Sequence, residues 1–158
     1  MILSDVDGVL TDGTIEIDHQ GNESKRFNTL DGYGIRCWKK AGYAFGLVTG
    51  RSCECVLHRA KDLGIEIVRT GTFAKREAVE EIAAAAGLSL DRVAYIGDDI
   101  PDLAAIRAVG LGVTVPDAPR ELLIAADYVT NRCGGYGAVR ELIEQILRRQ
   151  GKWEQAFD

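Results

Sequence analysis

The chain has 158 residues, 46% hydrophobic and 27% charged, which fits one folded domain spanning 1–158 and excludes a disordered chain. A net charge of −5 offers no footprint for nucleic acid or an anionic membrane surface. No apolar run approaches the roughly 20 residues a bilayer span needs. With charges beginning at Asp5 and no leader-like segment before them, the expected location is cytoplasmic.

The chain opens MILSDVDGVLTDG. Residues 1–4 form a short apolar run, and Asp5 and Asp7 sit at its end, followed by Gly8 and by Asp12-Gly13. Acids are poor strand residues, and like charges this close repel. Either this is an acidic solvated turn, or a positive charge belongs there. Residues 14–18 then alternate in strand fashion, His19-Gln20-Gly21-Asn22 reads as a turn, and 23–28 resume the alternation. That pattern predicts a β-hairpin flap over 14–28.

Further strands are expected at 44–48, 65–69, 93–96, 111–115 and 128–130, each a short run rich in β-branched residues. Between them, 52–63 carries Cys53, Val56, Leu57, Ala60 and Leu63 on one helical stripe and stops at Gly64. Val79, Ile82, Ala83 and Ala86 do the same for a helix at 75–86. Pro101 suits the first turn of another, and 138–149 is the last. The alternation predicts an α/β fold: a Rossmann-like three-layer sandwich whose mostly parallel central sheet has helices on both faces.

Of the four cysteines, none has zinc spacing. Cys53 and Cys55 fall in a segment of helical period, where positions i and i+2 point apart, so Cys37, Cys53, Cys55 and Cys133 read as plain thiols. His19 and His58 are isolated and read as surface residues.

Ligands of open parallel α/β sheets bind beyond the carboxyl ends of the strands. The first strand end carries Asp5, Asp7 and Gly8; the second Thr49, Gly50 and Arg51. The third leads through Thr70-Gly71-Thr72 to Lys75, and the fourth carries Gly97, Asp98 and Asp99, with Asp102 close behind. Lys75 opposes the macrodipole in the first turn of its helix, at a cost of up to about 1 kcal/mol, unless an anion lies beside it. Asp98-Asp99, read alone, is either a helix N-cap or part of a site. Carboxylates gathered from two strand ends suit Mg²⁺, a hard cation that keeps room for a phosphate oxygen. One Asp can then act as nucleophile and a second as proton donor and acceptor.

These residues also carry a family signature. DVDGVLTDG at 5–13 resembles the first motif of the haloacid dehalogenase superfamily of phosphatases, D-x-D-G-x-x-x-D-G. VTG at 48–50 is similar to its second motif, Lys75 to the third, and GDDIPD at 97–102 to the fourth. The resemblance implies Asp5 as nucleophile, forming an aspartyl-phosphate, and Asp7 as general acid/base. It further implies Mg²⁺ held by Asp5, the Asp7 carbonyl and Asp98, with Thr49, Gly50 and Lys75 on the phosphoryl group.

Neither gap between the early motifs has room for a large cap domain. Asp31-Gly32-Tyr33-Gly34-Ile35, the G-G-x-G-A-V-R-E pattern at 134–141 and Gln150-Gly151-Lys152 resemble the capless branch, which includes phosphatases of eight-carbon octulosonate 8-phosphates and nine-carbon nonulosonate 9-phosphates. Members of that branch imply a homotetramer whose flaps cover a neighbour's site and whose C-terminal tail, here 150–158, can contribute. Arg51 matches the eight-carbon enzymes and suits a sugar-acid carboxylate by bidentate pairing. Taken by itself it equally suits a helix-start ion pair with Glu54. The substrate implied is thus a small phosphorylated sugar acid. The alternatives are a nine-carbon substrate and a non-catalytic oligomerisation module, against which the intact set of acids argues. The roles of Asp99 and Asp102 stay open.

Overall fold

The strand β1 (Ile2–Ser4) lies at the centre of a six-stranded sheet, flanked by β4 (Phe45–Val48) on one side and β6 (Ala94–Gly97) on the other. Beyond β4 lies β5 (Ile67–Arg69), and beyond β6 lie β7 (Leu111–Thr114) and β8 (Tyr128–Val129). Every pairing is parallel. The chain order reverses at β1, which makes its carboxyl end the crevice where such sheets bind ligands. This computed structural model describes residues 1–157, so Asp158, the last residue of the predicted tail, lies outside the described residues.

The central strands β1, β4 and β6 are buried on both faces, as parallel strands must be when helices cover them. Ile2, Leu3, Ile96 and Val113 are each wholly sequestered, as are Ile35, Leu142, Ile143 and Leu147 on the helices. Each such side chain contributes about 1.5–3 kcal/mol by leaving water. The helices are α1 (Thr29–Lys40), α2 (Glu54–Leu63), α3 (Lys75–Ala85), α4 (Leu103–Ala108), α5 (Arg120–Ala125) and α6 (Ala138–Arg149).

The predicted strands and the helices 52–63, 75–86 and 138–149 appear within a few residues of their expected bounds. Two helices were not expected from the sequence. α1 contains Gly32 and Gly34, which disfavour helix by about 1 kcal/mol each, but packing overrides that preference. A Cβ on Gly34 would come within 3.2 Å of Arg140 Cα, so the glycine lets α1 lie directly against α6. Asn28 caps α1, its side chain accepting from the Leu30 amide at 2.9 Å. Asp31, in the first turn of α1, accepts from the Arg140 amide at 2.8 Å and so caps α6 from a neighbouring helix. The D-G-x-G motif and Arg140 of the 134–141 pattern thus build one helix-helix contact.

The helix expected after Pro101 begins as a 3-10 turn at Ile100–Asp102 before continuing as α4. The hairpin is shorter than the 14–28 reading: its strands are β2 (Glu16–Ile17) and β3 (Glu23–Ser24), in a separate two-stranded sheet. Asp18 organises its turn, accepting from the amides of Gln20 and Asn22 at 2.9 and 2.8 Å.

The C-terminal tail folds back on its own chain. Trp153 is buried, with the Arg140 and Arg148 guanidinium carbons 4.6 and 5.5 Å from its ring centroid. Lys152 donates to Tyr43 Oη at 2.7 Å. No helix among the described residues is long and apolar enough to cross a membrane.

Candidate active site

The site begins where β1 ends. The Asp5 amide still donates to Ile96 O of β6 at 2.9 Å, so the first acid is fixed by the sheet ladder itself. Past it the chain turns tightly. Thr11 Oγ1 accepts from the amides of Gly8 and Gly13, at 3.3 and 3.2 Å, and thereby closes the loop. Gly8 has φ +82°, and a Cβ there would sit 2.0 Å from Asp98 Oδ2. Glycine is needed here twice, for its conformation and for the space Asp98 fills. Gly134 and Gly135 press on the same loop, and Gly135 donates to Val9 O at 2.9 Å. Asp12 accepts from Thr14 Oγ1 at 2.6 Å, which shapes the start of the flap rather than the site.

Asp5 is nearly buried. Its Oδ1 accepts from the Val6 amide at 2.7 Å, and its Oδ2 lies 2.9 Å from Lys75 Nζ. Lys75 sits at the first position of α3, whose N-cap makes no side-chain bond. Its ammonium is 2.9 Å from Asp102 Oδ1 as well, so two carboxylates offset the unfavourable helix end. Asp102 also receives Tyr95 Oη at 2.5 Å and the amides of Asp98 and Asp99 at 3.1 and 3.3 Å. Asp99 caps the 3-10 turn, accepting from Ile100 N at 2.8 Å, which answers the N-cap alternative for that residue but not for Asp98.

Carboxylate oxygens of Asp5, Asp98 and Asp102 lie within 4.8 Å of one another. Burial, then the charge of Asp102, pushes the Asp5 carboxyl up to about 7; Lys75 opposes the rise. Burial and the charges of Asp5 and Asp102 push Asp98 up to about 8. An all-oxygen set whose acids resist ionising together fits a hard divalent cation, which would relieve the repulsion. Asp102 is the least available of the three, because its oxygens already serve Lys75, Tyr95 and two amides.

Asp7, Thr49, Gly50, Arg51, Lys75 and Asp98 line one cavity of about 250 Å³, with Asp5 adjoining through Lys75. The predicted site residues are therefore brought together. Thr49 is buried and held in place by its amide, which donates to Arg69 O at 2.8 Å. Arg51 pairs not with Glu54 but with Glu23 of the flap, at 2.7 Å.

The sequence reading missed Glu23 and Lys25. Lys25 Nζ bonds Asp7 Oδ1 and lies 2.7 Å from Glu23 Oε1, its side chain wholly out of water. The Arg51 guanidinium and the Lys25 ammonium hold the Glu23 carboxyl down at about 2. The available signal was the i, i+2 spacing of Glu23 and Lys25, which puts both on one strand face. Nearby, Cys53 caps α2 in an extended conformation, ahead of the helix. The pair therefore straddles the helix start, where the i, i+2 rule of a helix does not apply, and burial followed by the neighbouring Cys53 pushes Cys55 up to about 11.

The parallel sheet carries a buried aspartate, its lysine and further acids at the switch point, where such sheets bind ligands, and the haloacid dehalogenase-like hydrolase family matches residues 65–140. The chain is 41% identical over 156 residues to the 3-deoxy-D-manno-octulosonate 8-phosphate phosphatase of Salmonella typhi, covering 99% of this chain and 83% of that one. The phosphatase of the same name from Yersinia pestis is 44% identical over 156 residues, with the same coverage. Among solved structures, that enzyme from Moraxella catarrhalis, in complex with magnesium ion, phosphate ion and KDO, superposes with a TM-score of 0.96 at 40% identity, covering 98% of this chain and 88% of that one. The cobalt-bound Haemophilus influenzae phosphatase gives 0.94 at 38% identity, with coverage of 99% and 94%. The chain belongs to the haloacid dehalogenase-like hydrolases, in the 3-deoxy-D-manno-octulosonate 8-phosphate phosphatase family, and is a phosphatase.

Proposed function

We propose that the chain hydrolyses the 8-phosphate ester of 3-deoxy-D-manno-octulosonate, supplying an acidic sugar for lipopolysaccharide. The observation that carries the chemistry is the pairing of buried Asp5 Oδ2 with Lys75 at 2.9 Å, beside Asp98. Asp5 attacks phosphorus in line, the bond from phosphorus to the sugar oxygen breaks, and Asp7 gives that oxygen a proton. Asp7 then takes a proton from the water that attacks the aspartyl-phosphate, freeing phosphate and restoring Asp5. Lys75 orients Asp5 and balances charge, while Thr49 and the Gly50 amide hold the phosphoryl oxygens.

Mg²⁺ would be held by Asp5, the Asp7 carbonyl and Asp98, and when bound it neutralises charge on the phosphoryl group. The Moraxella catarrhalis relative's magnesium supports this reading. Arg51, at the edge of the cavity, is suited to the sugar-acid carboxylate. The exposed apolar residues Ile15 and Ile17 on the flap are consistent with a homotetramer, which sedimentation would test.

The deciding experiment is phosphate release, with and without Mg²⁺, from eight-carbon and nine-carbon sugar-acid phosphates and a hexose phosphate. Preference for the eight-carbon acid by at least about tenfold in kcat/KM is expected, a difference of about 1.4 kcal/mol in transition-state binding. Equal turnover of all of them would remove the substrate assignment. Preference for the nine-carbon acid would replace it.

A further inference from the structure

Two lysines among the described residues have side chains at most 2% exposed and paired with acids of the site, and each holds one of the two aspartates assigned to chemistry. Lys75 holds Asp5 and is itself braced by Asp102. Lys25 stands in the same relation to Asp7 and is braced by Glu23. The first pair belongs to the sheet. The second is brought by the flap.

The environment of Asp7 gives the second lysine a specific task. Lys25 occupies Oδ1, whereas Oδ2 is buried with no hydrogen-bond partner. A buried carboxylate oxygen without a partner costs about 1–3 kcal/mol or more, so its persistence asks for a use. Desolvating an ammonium also costs several kcal/mol unless it is closely paired. The Asp7 and Glu23 carboxylates supply that pairing, and Glu23 is held in turn by Arg51. Charges thus alternate from Asp7 through Lys25 and Glu23 to Arg51, across three separate segments of chain.

We propose that Lys25 is a positioning residue for Asp7. By fixing Oδ1 it holds the Asp7 carboxyl, which lines the cavity, in one orientation for proton exchange with the leaving sugar oxygen and with water. Glu23 keeps the lysine in register and ties it to Arg51. The acid/base is consequently aligned by the flap and not by the loop that bears it. This rests on the phosphatase mechanism proposed above, with Asp7 as proton donor.

The test exploits leaving-group chemistry. A primary alkyl phosphate needs a proton on its departing oxygen, whereas p-nitrophenolate leaves without one. kcat/KM reports the steps up to formation of the aspartyl-phosphate, so it isolates that requirement. Lys25→Met is expected to lower kcat/KM on the sugar-acid phosphate by about 10–100-fold, the range for a displaced catalytic group. On p-nitrophenyl phosphate the fall should stay within about threefold, and Lys25→Arg should recover most of the loss. Glu23→Gln, which keeps its shape, should give the same asymmetry more weakly, and it serves if Lys25→Met does not fold.

Equal losses on both esters, or no loss on either, would overturn the proposal, as would failure of Lys25→Arg to recover any of the loss on the sugar-acid phosphate. Inactivity of the wild-type protein on every phosphate ester would instead overturn the mechanism on which the proposal rests. If the wild type hydrolyses a different alkyl phosphate, that ester takes the sugar's place in the comparison.

Discussion

Lys75 and Asp102 form an ion pair of 2.9 Å in which neither side chain is more than 2% exposed. Removing one member of a buried pair leaves the other uncompensated, at about 3–5 kcal/mol. Asp102→Ala should therefore cost about 3 kcal/mol or more in denaturant unfolding, because Tyr95 Oη and two amides lose their acceptor with it. Activity should fall through misplacement of Lys75, even though Asp102 is not assigned a chemical step. Unchanged stability would mean that water replaces the carboxylate.

The acids at the site set a pH dependence with a definite sign. Asp5 and Asp98 have carboxyls raised to about 7 and about 8, above the unfolded value of about 4. Their contribution to stability is full below about 4 and is lost as pH rises through 7 and 8. The Tm of the metal-free protein should thus decline between pH 4 and pH 8. A divalent cation requires both carboxylates, so the Tm gain on adding Mg²⁺ should grow over the same interval, with release of protons. A gain independent of pH would place the cation elsewhere.

Arg51 has a narrower role. Arg51→Ala should raise KM for the acidic sugar phosphate by about tenfold or more while changing KM for a neutral phosphate ester little, since a charged hydrogen-bonded pair contributes about 1.5–3 kcal/mol. A uniform rise across both esters would assign Arg51 to the phosphate or, through Glu23, to the flap.

Asp31 separates capping from charge. It lends Oδ1 to α6, its Oδ2 is unpartnered, and burial raises its carboxyl to about 6 against the pull of the α6 amides. Asp31→Ala should cost about 1 kcal/mol or more for the lost cap. Asp31→Asn keeps an acceptor without the charge. Because the raised carboxyl stabilises below about pH 4 and loses that effect through about 6, the Asn variant should gain relative to wild type between pH 5 and pH 8. Chemical denaturation at the two pH values checks it.

Trp153 belongs to the folded chain, stacked under Arg140 and Arg148 and edge-on to Phe157 at 5.4 Å. Trp153→Ala should lower stability by about 3 kcal/mol, as large aromatic truncations do. A negligible change would show that the tail leaves this position in solution.

Much of the site was legible because strand ends must converge in a parallel sheet: Asp5, Thr49, Lys75 and Asp98 could be collected without knowing any contact. What escaped required tertiary detail. α1 hid behind Gly32 and Gly34, residues that locally oppose helix and are explained only by Arg140 across the interface. α5 has six residues between Pro119 and Ala126, too few for a periodic stripe. Asp102 looked like one more acid, and its task depends on Tyr95 and Lys75 arriving from other elements. Lys25 and Glu23 sit in the segment read as a flap, and their partners Asp7 and Arg51 come from other parts of the chain, which alternation alone does not reveal.

The hydrogen bond from the Asp5 amide to Ile96 O has a consequence for how this sequence can drift. It joins the backbone of the first acid to the strand that delivers Asp98, with Ser4 registered on Ile96. The gauge between the two acids is therefore set by main chain, which every residue except proline supplies alike. Side chains of the apolar interior can be exchanged for others of similar volume without altering it. The chemistry is insulated from turnover of the core, and its weak points are a few glycines, Gly8 first among them, where one added methyl group would strike Asp98.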